Sequence, residues 1–271
     1  MSDYLDKYIH DWKLENVEKL TSTFTSDVYT VESAREKRVL KILNEVGIKD
    51  ELPGTYFLEA CKGIGAVELF KYDERALLIE YLPGENLYQF SKSGQEAEAS
   101  KVFCAIIKKV KKNIPHSDRF QKVDELCSIF EQIEAPRELG ELLEEGKSRF
   151  EELRKTQTEE VLLHGDLHHE NVISRKSGEF VCFDPKGLLG DPAYELGTTL
   201  KNPWDYPKIS HDIDIFQERA KYFSKELKLP YDRVVGYAFV HLCLSIAWAI
   251  EDGVSYEHQL AVAKQVQHLL L

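Results

Sequence analysis

The sequence predicts an α+β fold in two lobes, on three observations. Short β segments fill residues 14–81, helical periodicity takes over after Pro83-Gly84, and one dense His/Asp/Asn segment interrupts the helical region. In the first third, segments 17–24, 27–33 and 37–43 carry β-branched or aromatic residues between polar turns such as Ser26-Asp27. A short helix over 56–61 follows, then strands over 66–72 and 75–81 joined by Asp73-Glu74. The small β-rich lobe is placed at residues 1–82 and the larger, mainly helical lobe at 83–271.

In segment 95–112, Ala99, Val102, Phe103, Ile106, Ile107 and Val110 recur at i, i+3, i+4, i+7 spacing. Lys101, Lys108, Lys109, Lys111 and Lys112 fall mostly outside that stripe and read as a solvated face. Further helices are expected over 120–133, 138–156, 213–227, 231–250 and 255–270, with brief strands at 160–163, 172–174 and 180–183.

Composition bounds the function. With 47 Asp and Glu against 35 Lys and Arg, the net charge of −12 argues against nucleic acid, whose phosphates need a cationic surface. Five cysteines, far apart and without a C-x-x-C pair, read as reduced and buried in a cytoplasmic protein. The polar start of the chain has no apolar signal core. The run 234–250 is broken by Gly236, His241 and Ser245, so a buried core helix is expected rather than a membrane span. A small-molecule partner follows, with a monomer or small homo-oligomer as the state.

His164-Gly165-Asp166-Leu167-His168-His169-Glu170-Asn171 is the segment that carries chemistry. One reading makes its histidines and aspartate metal ligands of a hydrolase. The other takes H-x-D-x-x-x-x-N as the catalytic loop of a kinase, with Asp166 accepting the proton of the attacking hydroxyl and Asn171 on Mg²⁺. The kinase reading demands a second Asp past a following strand, and Asp184 stands there. It also demands a strand lysine for the phosphates of ATP, which Lys41 in Val39-Leu40-Lys41-Ile42-Leu43 supplies. Ile79-Glu80-Tyr81-Leu82 ahead of Pro83-Gly84 occupies the linker where an adenine edge meets backbone, so Glu80 and Leu82 are nucleotide-site candidates. Four features in this order favour the kinase.

Three stretches then resemble the aminoglycoside phosphotransferase family of the protein-kinase-like fold, and within it the streptomycin 6-kinase and hydroxyurea phosphotransferase group. They are the 164–172 segment, Asp184-Pro185-Lys186-Gly187 running on to Gly190-Asp191-Pro192-Ala193-Tyr194-Glu195, and Ala247-Trp248-Ala249-Ile250-Glu251-Asp252-Gly253. The resemblance implies ATP and Mg²⁺ as cofactors, with Asn171 and Asp184 on the metal. It implies Glu195 and His164 as braces of the loop, and antibiotic resistance as the role. It also implies a cationic hydroxylated acceptor, with His169, Glu170, Trp248, Glu251 and Asp252 as candidate contacts.

Three departures stand beside the match. Glu170 takes a position where a small residue is usual, and the turn Thr23-Phe24-Thr25-Ser26-Asp27 has no glycine. The glutamate that pairs with Lys41 is left between Glu51 and Glu59. His168 and His169 divide between packing and substrate, and Lys186 between phosphate and solvent. A kinase of another hydroxylated metabolite and an inactive kinase-fold binding protein stay as alternatives.

Overall fold

The computed structural model describes residues 2–111 and 118–270. Helix α1 (Ser2–Trp12) precedes strands β1 (Glu15–Ser22), β2 (Ser26–Ser33) and β3 (Glu36–Leu43). Helix α2 (Glu45–Cys61) then leads to β4 (Leu69–Tyr72) and β5 (Ala76–Glu80). The five strands form one antiparallel sheet in the order β1-β2-β3-β5-β4. Tyr8 of α1 is buried with Tyr29, Val31, Leu40 and Leu78, and its hydroxyl donates to Asp73 Oδ1 at 2.9 Å. So the polar start of the chain becomes a cover for one face of the sheet.

Helix α2 begins far earlier than the expected 56–61. Asn44 caps it, accepting from the Gly47 amide at 2.9 Å, and the helix runs through Pro53. Pro53-Gly54 reads locally as a breaker, because proline deletes one helical hydrogen bond. Tertiary contact overrides that cost. A Cβ on Gly54 would lie 1.8 Å from the Pro185 carbonyl oxygen, and one on Gly47 2.2 Å from that of Thr25. The bare backbone of α2 thus lets two functional loops approach it.

Beyond β5 come α3 (Tyr88–Lys92), α4 (Glu96–Val110), β6 (Gln121–Lys122), α5 (Val123–Cys127), α6 (Ile129–Gln132) and α7 (Arg137–Lys155). The expected single helix over 120–133 is in fact β6 and two short helices. Ser128 turns its hydroxyl onto the Glu125 carbonyl at 2.7 Å where they part, a local bond that competes with helix propagation. The lysine face of α4 is neutralised: Lys101, Lys108, Lys109 and Lys111 pair with Glu98, Glu226, Glu179 and Glu159. Lys112 lies outside the described residues.

Strands β7 (Val161–Leu163), β8 (Val172–Ser174), β9 (Phe180–Cys182) and β10 (Leu188–Gly190) follow close to expectation, β10 alone being unforeseen. β10 pairs with β6 and β7, while β8 pairs with β9. The remaining helices are α8 (Glu195–Lys201), α9 (Pro207–Ser210), α10 (Ile213–Leu227), α11 (Tyr231–Glu251) and α12 (Glu257–Gln267). By length and composition α11 is apolar enough to cross a membrane, yet most of it is buried in the protein, in cores shared with α7, α8 and α12. Its period is blurred because neighbours cover it on nearly every side. All five cysteines are buried.

The expected strand over 66–72 is shortened for a reason that matters to the site. Ala66 bridges Cys182 of β9 instead of joining the sheet, and the Val67 amide donates to the Cys182 carbonyl at 2.9 Å. That bridge and Gly54 against Pro185 bind the sheet to the helical part on either side of Asp184. Gly54→Ala is therefore expected to destabilise the protein by about 1–3 kcal/mol through overpacking. Denaturant unfolding checks this, and an unchanged midpoint would show that the contact can relax.

Candidate active site

The 164–171 loop is held from beneath by buried groups. The Glu195 carboxylate, at the start of α8, accepts from the His164 amide at 2.7 Å and the Gly165 amide at 3.0 Å. Thr199 donates to the Leu167 carbonyl at 2.7 Å. Burial pushes the Glu195 carboxyl up to about 7, although the two amides pull the other way. His164 is fully buried, with Nε2 on the Phe183 carbonyl at 2.9 Å and Nδ1 accepting from the Asp166 amide at 3.2 Å. These partners require the neutral ring with its proton on Nε2. Burial holds its pKa down to about 4. His164 is a brace.

Gly165 has φ +82, and a Cβ there would meet the Leu188 side chain at 2.7 Å. The sharp turn this allows leaves the Asp166 carboxylate partly exposed above the loop. The Asn171 Nδ2 donates to the Asp166 carbonyl at 2.9 Å, which leaves the amide oxygen available to a hard cation. The Phe183 amide donates back to the Asn171 carbonyl at 3.0 Å, so the strand before Asp184 is registered on the loop.

Asp184, at φ +58, turns its Oδ1 onto Lys41 Nζ at 2.6 Å. Lys41 projects from β3 and also pairs with Glu51 of α2. Burial alone would lower the lysine, but Asp184 and then Glu51 outweigh it and raise its pKa. Burial likewise opposes ionisation of Asp184, and Lys41 reverses this, leaving the carboxyl below its usual range. Of the two glutamates that the sequence leaves open, Glu51 is the partner. Glu59 instead accepts from Tyr72 at 2.8 Å and pairs with Arg119.

A cavity of about 330 Å³ opens beside this ion pair. Val28, Val39 and Ile79 of the sheet wall one side, Ile173 and Phe183 the other, and Glu80, Tyr81 and Leu82 its edge. The Glu80 carboxylate is spent on Arg175, with Nε and Nη2 each at 2.8 Å, so what it offers the cavity is backbone. Above the cavity, the glycine-free turn is tied by its own hydroxyls. Thr23 Oγ1 accepts from the Thr25 and Ser26 amides at 3.3 and 3.0 Å, and Thr25 donates to Glu51.

One expected acceptor contact is corrected. His169 is fully buried, with Nε2 at 3.0 Å from Glu96 Oε1 and its ring against Phe103, so it faces the interior and not a substrate. His168 takes the open side, 3.8 Å from Asp166 Oδ2. Adjacent residues of a 3₁₀ turn point apart, and sequence cannot say which points inward. Glu170 and Asp205 are exposed, and burial together with the negative charge of these two carboxylates raises the Tyr88 pKa. Trp248 is partly buried against the Tyr194–Tyr237 core. Glu251 and Asp252 are exposed at the end of α11, and among the described residues no hydrogen bond or ion pair joins them to the 164–171 loop. Lys186 is exposed beside Asp184, its amide donating to the His164 carbonyl at 2.7 Å. Arg175, Trp204 and Asp205 in loops and Lys201 at a helix end carry no periodic signal in the sequence.

Residues 11–253 match the family model described as aminoglycoside/hydroxyurea antibiotic resistance kinase. The chain belongs to that family. Streptomycin 6-kinase of Streptomyces griseus is 26% identical over 219 residues, 76% of this chain and 70% of that protein. Streptomycin 3''-kinase of Klebsiella pneumoniae is 27% identical over 247 residues, covering 89% and 91%. Among solved structures, choline kinase LicA from Streptococcus pneumoniae aligns with a TM-score of 0.68 at 14% identity over 99% and 98% of the chains. An aminoglycoside phosphotransferase APH(4)-Ia complex with ADP and hygromycin B gives 0.67 at 12% identity over 98% and 97%. At that identity the likeness establishes the kinase-like α+β fold. The family match makes this kinase a small-molecule phosphotransferase.

Two outcomes follow for this family member. Glu51→Gln removes one charge from the Lys41 cluster and is expected to lower phosphotransfer on the order of 10²-fold by misplacing the lysine, with Glu59→Gln close to the parent. Equal effects of the two in a steady-state assay would contradict the Glu51 assignment. The second outcome is acid sensitivity. His164 and His169 are held to about 4 and His241 well below 6.5, in each case by burial first. The unfolded chain takes up protons near 6.5 that the folded chain refuses, so this stability is present above that pH and lost as pH falls towards 4. Glu195, raised to about 7, works in the opposite sense and offsets one proton. The calorimetric midpoint is expected to be lower at about pH 5 than at about pH 7, and a rise would contradict the assignment.

Proposed function

We propose that this kinase transfers the γ-phosphoryl group of ATP to a hydroxyl of a small, polar, cationic acceptor of the streptomycin type. The observation that carries the reading is the convergence of Lys41, Glu51 and Asp184 on one apolar cavity, with the loop of Asp166 and Asn171 tied through the Asn171 carbonyl to Phe183, another residue of the cavity wall. The cavity takes the adenine between Val39 and Ile79 on one side and Ile173 and Phe183 on the other, with the backbone of 80–82 at its edge. The boundary between lobes falls at this edge, near residue 82.

Lys41 holds the α- and β-phosphates, and Glu51 keeps the ammonium aimed. The Asn171 amide oxygen and the second Asp184 oxygen fit Mg²⁺, which binds through one or two protein oxygens together with substrate phosphates. When bound, the metal supplies charge neutralisation on the phosphoryl oxygens. Asp166 accepts the hydroxyl proton of the acceptor and fixes the direction of its attack. His164 and Glu195 touch no substrate; they hold the backbone that carries Asp166.

Exposed Glu170 and Asp205 beside Tyr88 provide the negative face that suits an ammonium or guanidinium. The similarity to streptomycin 6- and 3''-kinases supports this acceptor class. A zinc hydrolase is not favoured: among the described residues no three His, Cys, Asp or Glu side chains gather as a metal site. A binding protein without catalysis is not favoured either, since each position the chemistry needs is filled.

The test is an ATP-consumption screen over aminoglycosides, hydroxyurea and amino-alcohols beside Asp166→Asn. That variant is expected to fold and bind ATP as the parent does while kcat falls about 10²–10⁴-fold. Undiminished phosphorylation would remove the proton-accepting role from Asp166, and turnover of neutral sugars alone would remove the cationic acceptor.

A further inference from the structure

Lys201, the last residue of α8, carries an ammonium that the protein does not neutralise locally. The side chain is partly buried, and its one hydrogen bond among the described residues runs from Nζ to Ser245 Oγ at 2.6 Å. Ser245 donates its own proton to the His241 carbonyl at 2.8 Å, so it can only accept from the lysine. Nζ lies 5.7 Å from the Trp204 ring. Among the described residues no carboxylate stands within ion-pair distance. An ammonium has three N–H donors, and two are left to a ligand or to solvent.

The position is built rather than incidental. Glu195 and Thr199, earlier on the same helix, hold the 164–171 loop, so Lys201 is carried by the element that positions Asp166. Thr199, two residues before Lys201, donates to the carbonyl of Leu167, the residue after Asp166, which places the end of α8 beside that carboxylate's loop. The backbone just beyond is fixed from inside. Asn202 Nδ2 donates to the Thr198 carbonyl at 2.9 Å, Arg219 donates to the Asn202 carbonyl at 2.8 Å, and the Trp204 ring lies 3.9 Å from that of His258. Holding a desolvated cation without a counterion costs stability, and such groups are kept where a ligand uses them.

We propose that Lys201 is an acceptor-binding, specificity-determining residue that donates hydrogen bonds to acceptor oxygens next to the hydroxyl held by Asp166. It rests on the kinase reading above and divides the acceptor site. Lys201 and Trp204 read the oxygen-bearing, uncharged face of the acceptor, while Glu170 and Asp205 read its cationic groups. An ammonium placed on the Lys201 side would be repelled, so the lysine also selects the orientation in which a polycationic sugar enters.

Burial pulls the Lys201 pKa down to about 8, with Asp166 opposing. The groups facing it are Asp166 from the loop, His241 from α11 and His258 from α12. Burial keeps both histidines neutral, so above pH 7 the ammonium is the group whose charge is lost. Acceptor KM is expected to rise as pH goes from about 7 to about 9.

The experiment measures KM for streptomycin at saturating ATP, and KM for ATP at saturating streptomycin, in the parent, Lys201→Met and Lys201→Arg. Lys201→Met is expected to raise the streptomycin KM about tenfold or more, with the ATP KM within about twofold. Lys201→Arg keeps the charge and is expected to abolish the alkaline rise. An unchanged streptomycin KM in folded Lys201→Met, or a shift in the ATP KM instead, would overturn the proposal. If Lys201→Met does not fold, the alkaline rise in Lys201→Arg decides: its persistence overturns the assignment and its loss supports it. Absence of turnover in the parent across the whole acceptor panel would overturn the kinase reading and this proposal with it. A working parent with an indifferent Lys201→Met overturns this proposal alone.

Discussion

One buried ammonium holds the site together. Lys41 reaches from the third strand of the sheet to Glu51 on the helix behind it and to Asp184 at the end of a strand in the other half of the chain. Two carboxylates brought this close, Glu51 largely buried and Asp184 half exposed, would repel each other and drive one another towards the neutral form. The lysine reverses that, and the direction of the Asp184 shift records it. Every element near the cleft is then arranged so that this contact can form: glycines on α2 admit the neighbouring loops, and the Ala66–Cys182 bridge holds the sheet in register with the strand before Asp184.

The second theme is that the groups holding the 164–171 loop are buried, whereas the Asp166 and Asp184 carboxylates are open to solvent. Glu195, His164 and Thr199 are buried and spend their polar atoms on backbone. Asp166 is left partly exposed above them. A buried triad of Glu96, His169 and Arg219 does the same for the 169–171 turn: Glu96 lies 3.0 Å from His169 and 3.1 Å from Arg219, and it also accepts from Ser91 at 2.6 Å. Arg219 continues to the carbonyls of Thr199 and Asn202, so the turn and the end of α8 share one support. Buried partners fix the Asp166 backbone while its carboxylate stays open to solvent.

Much of this was legible in the chain. H-x-D-x-x-x-x-N, the following Asp184 and the lysine strand around Lys41 could be read because phosphoryl transfer demands those residue types at those intervals. The long helices could be read because an apolar stripe repeats every three to four residues. The start of α2 could not, since Pro53-Gly54 obeys local rules that contact with Pro185 overrides. The helix over 120–133 failed for the converse reason, a serine that satisfies a carbonyl locally and ends the helix.

What the sequence determined by itself was the order of chemical groups along the chain and hence the class of reaction, because the loop motifs act over a few residues. Tertiary structure decided everything that depends on which way a side chain faces. It chose Glu51 over Glu59, turned His169 inward and His168 outward, tied the Glu80 carboxylate to Arg175, and brought the end of α8, with Lys201, beside the loop of Asp166. Those choices follow from packing between elements far apart in the chain, for which no spacing rule exists. The acidic excess of the composition likewise acquires a place only in three dimensions, where a few carboxylates face the cleft and the others meet lysines on the outer helices.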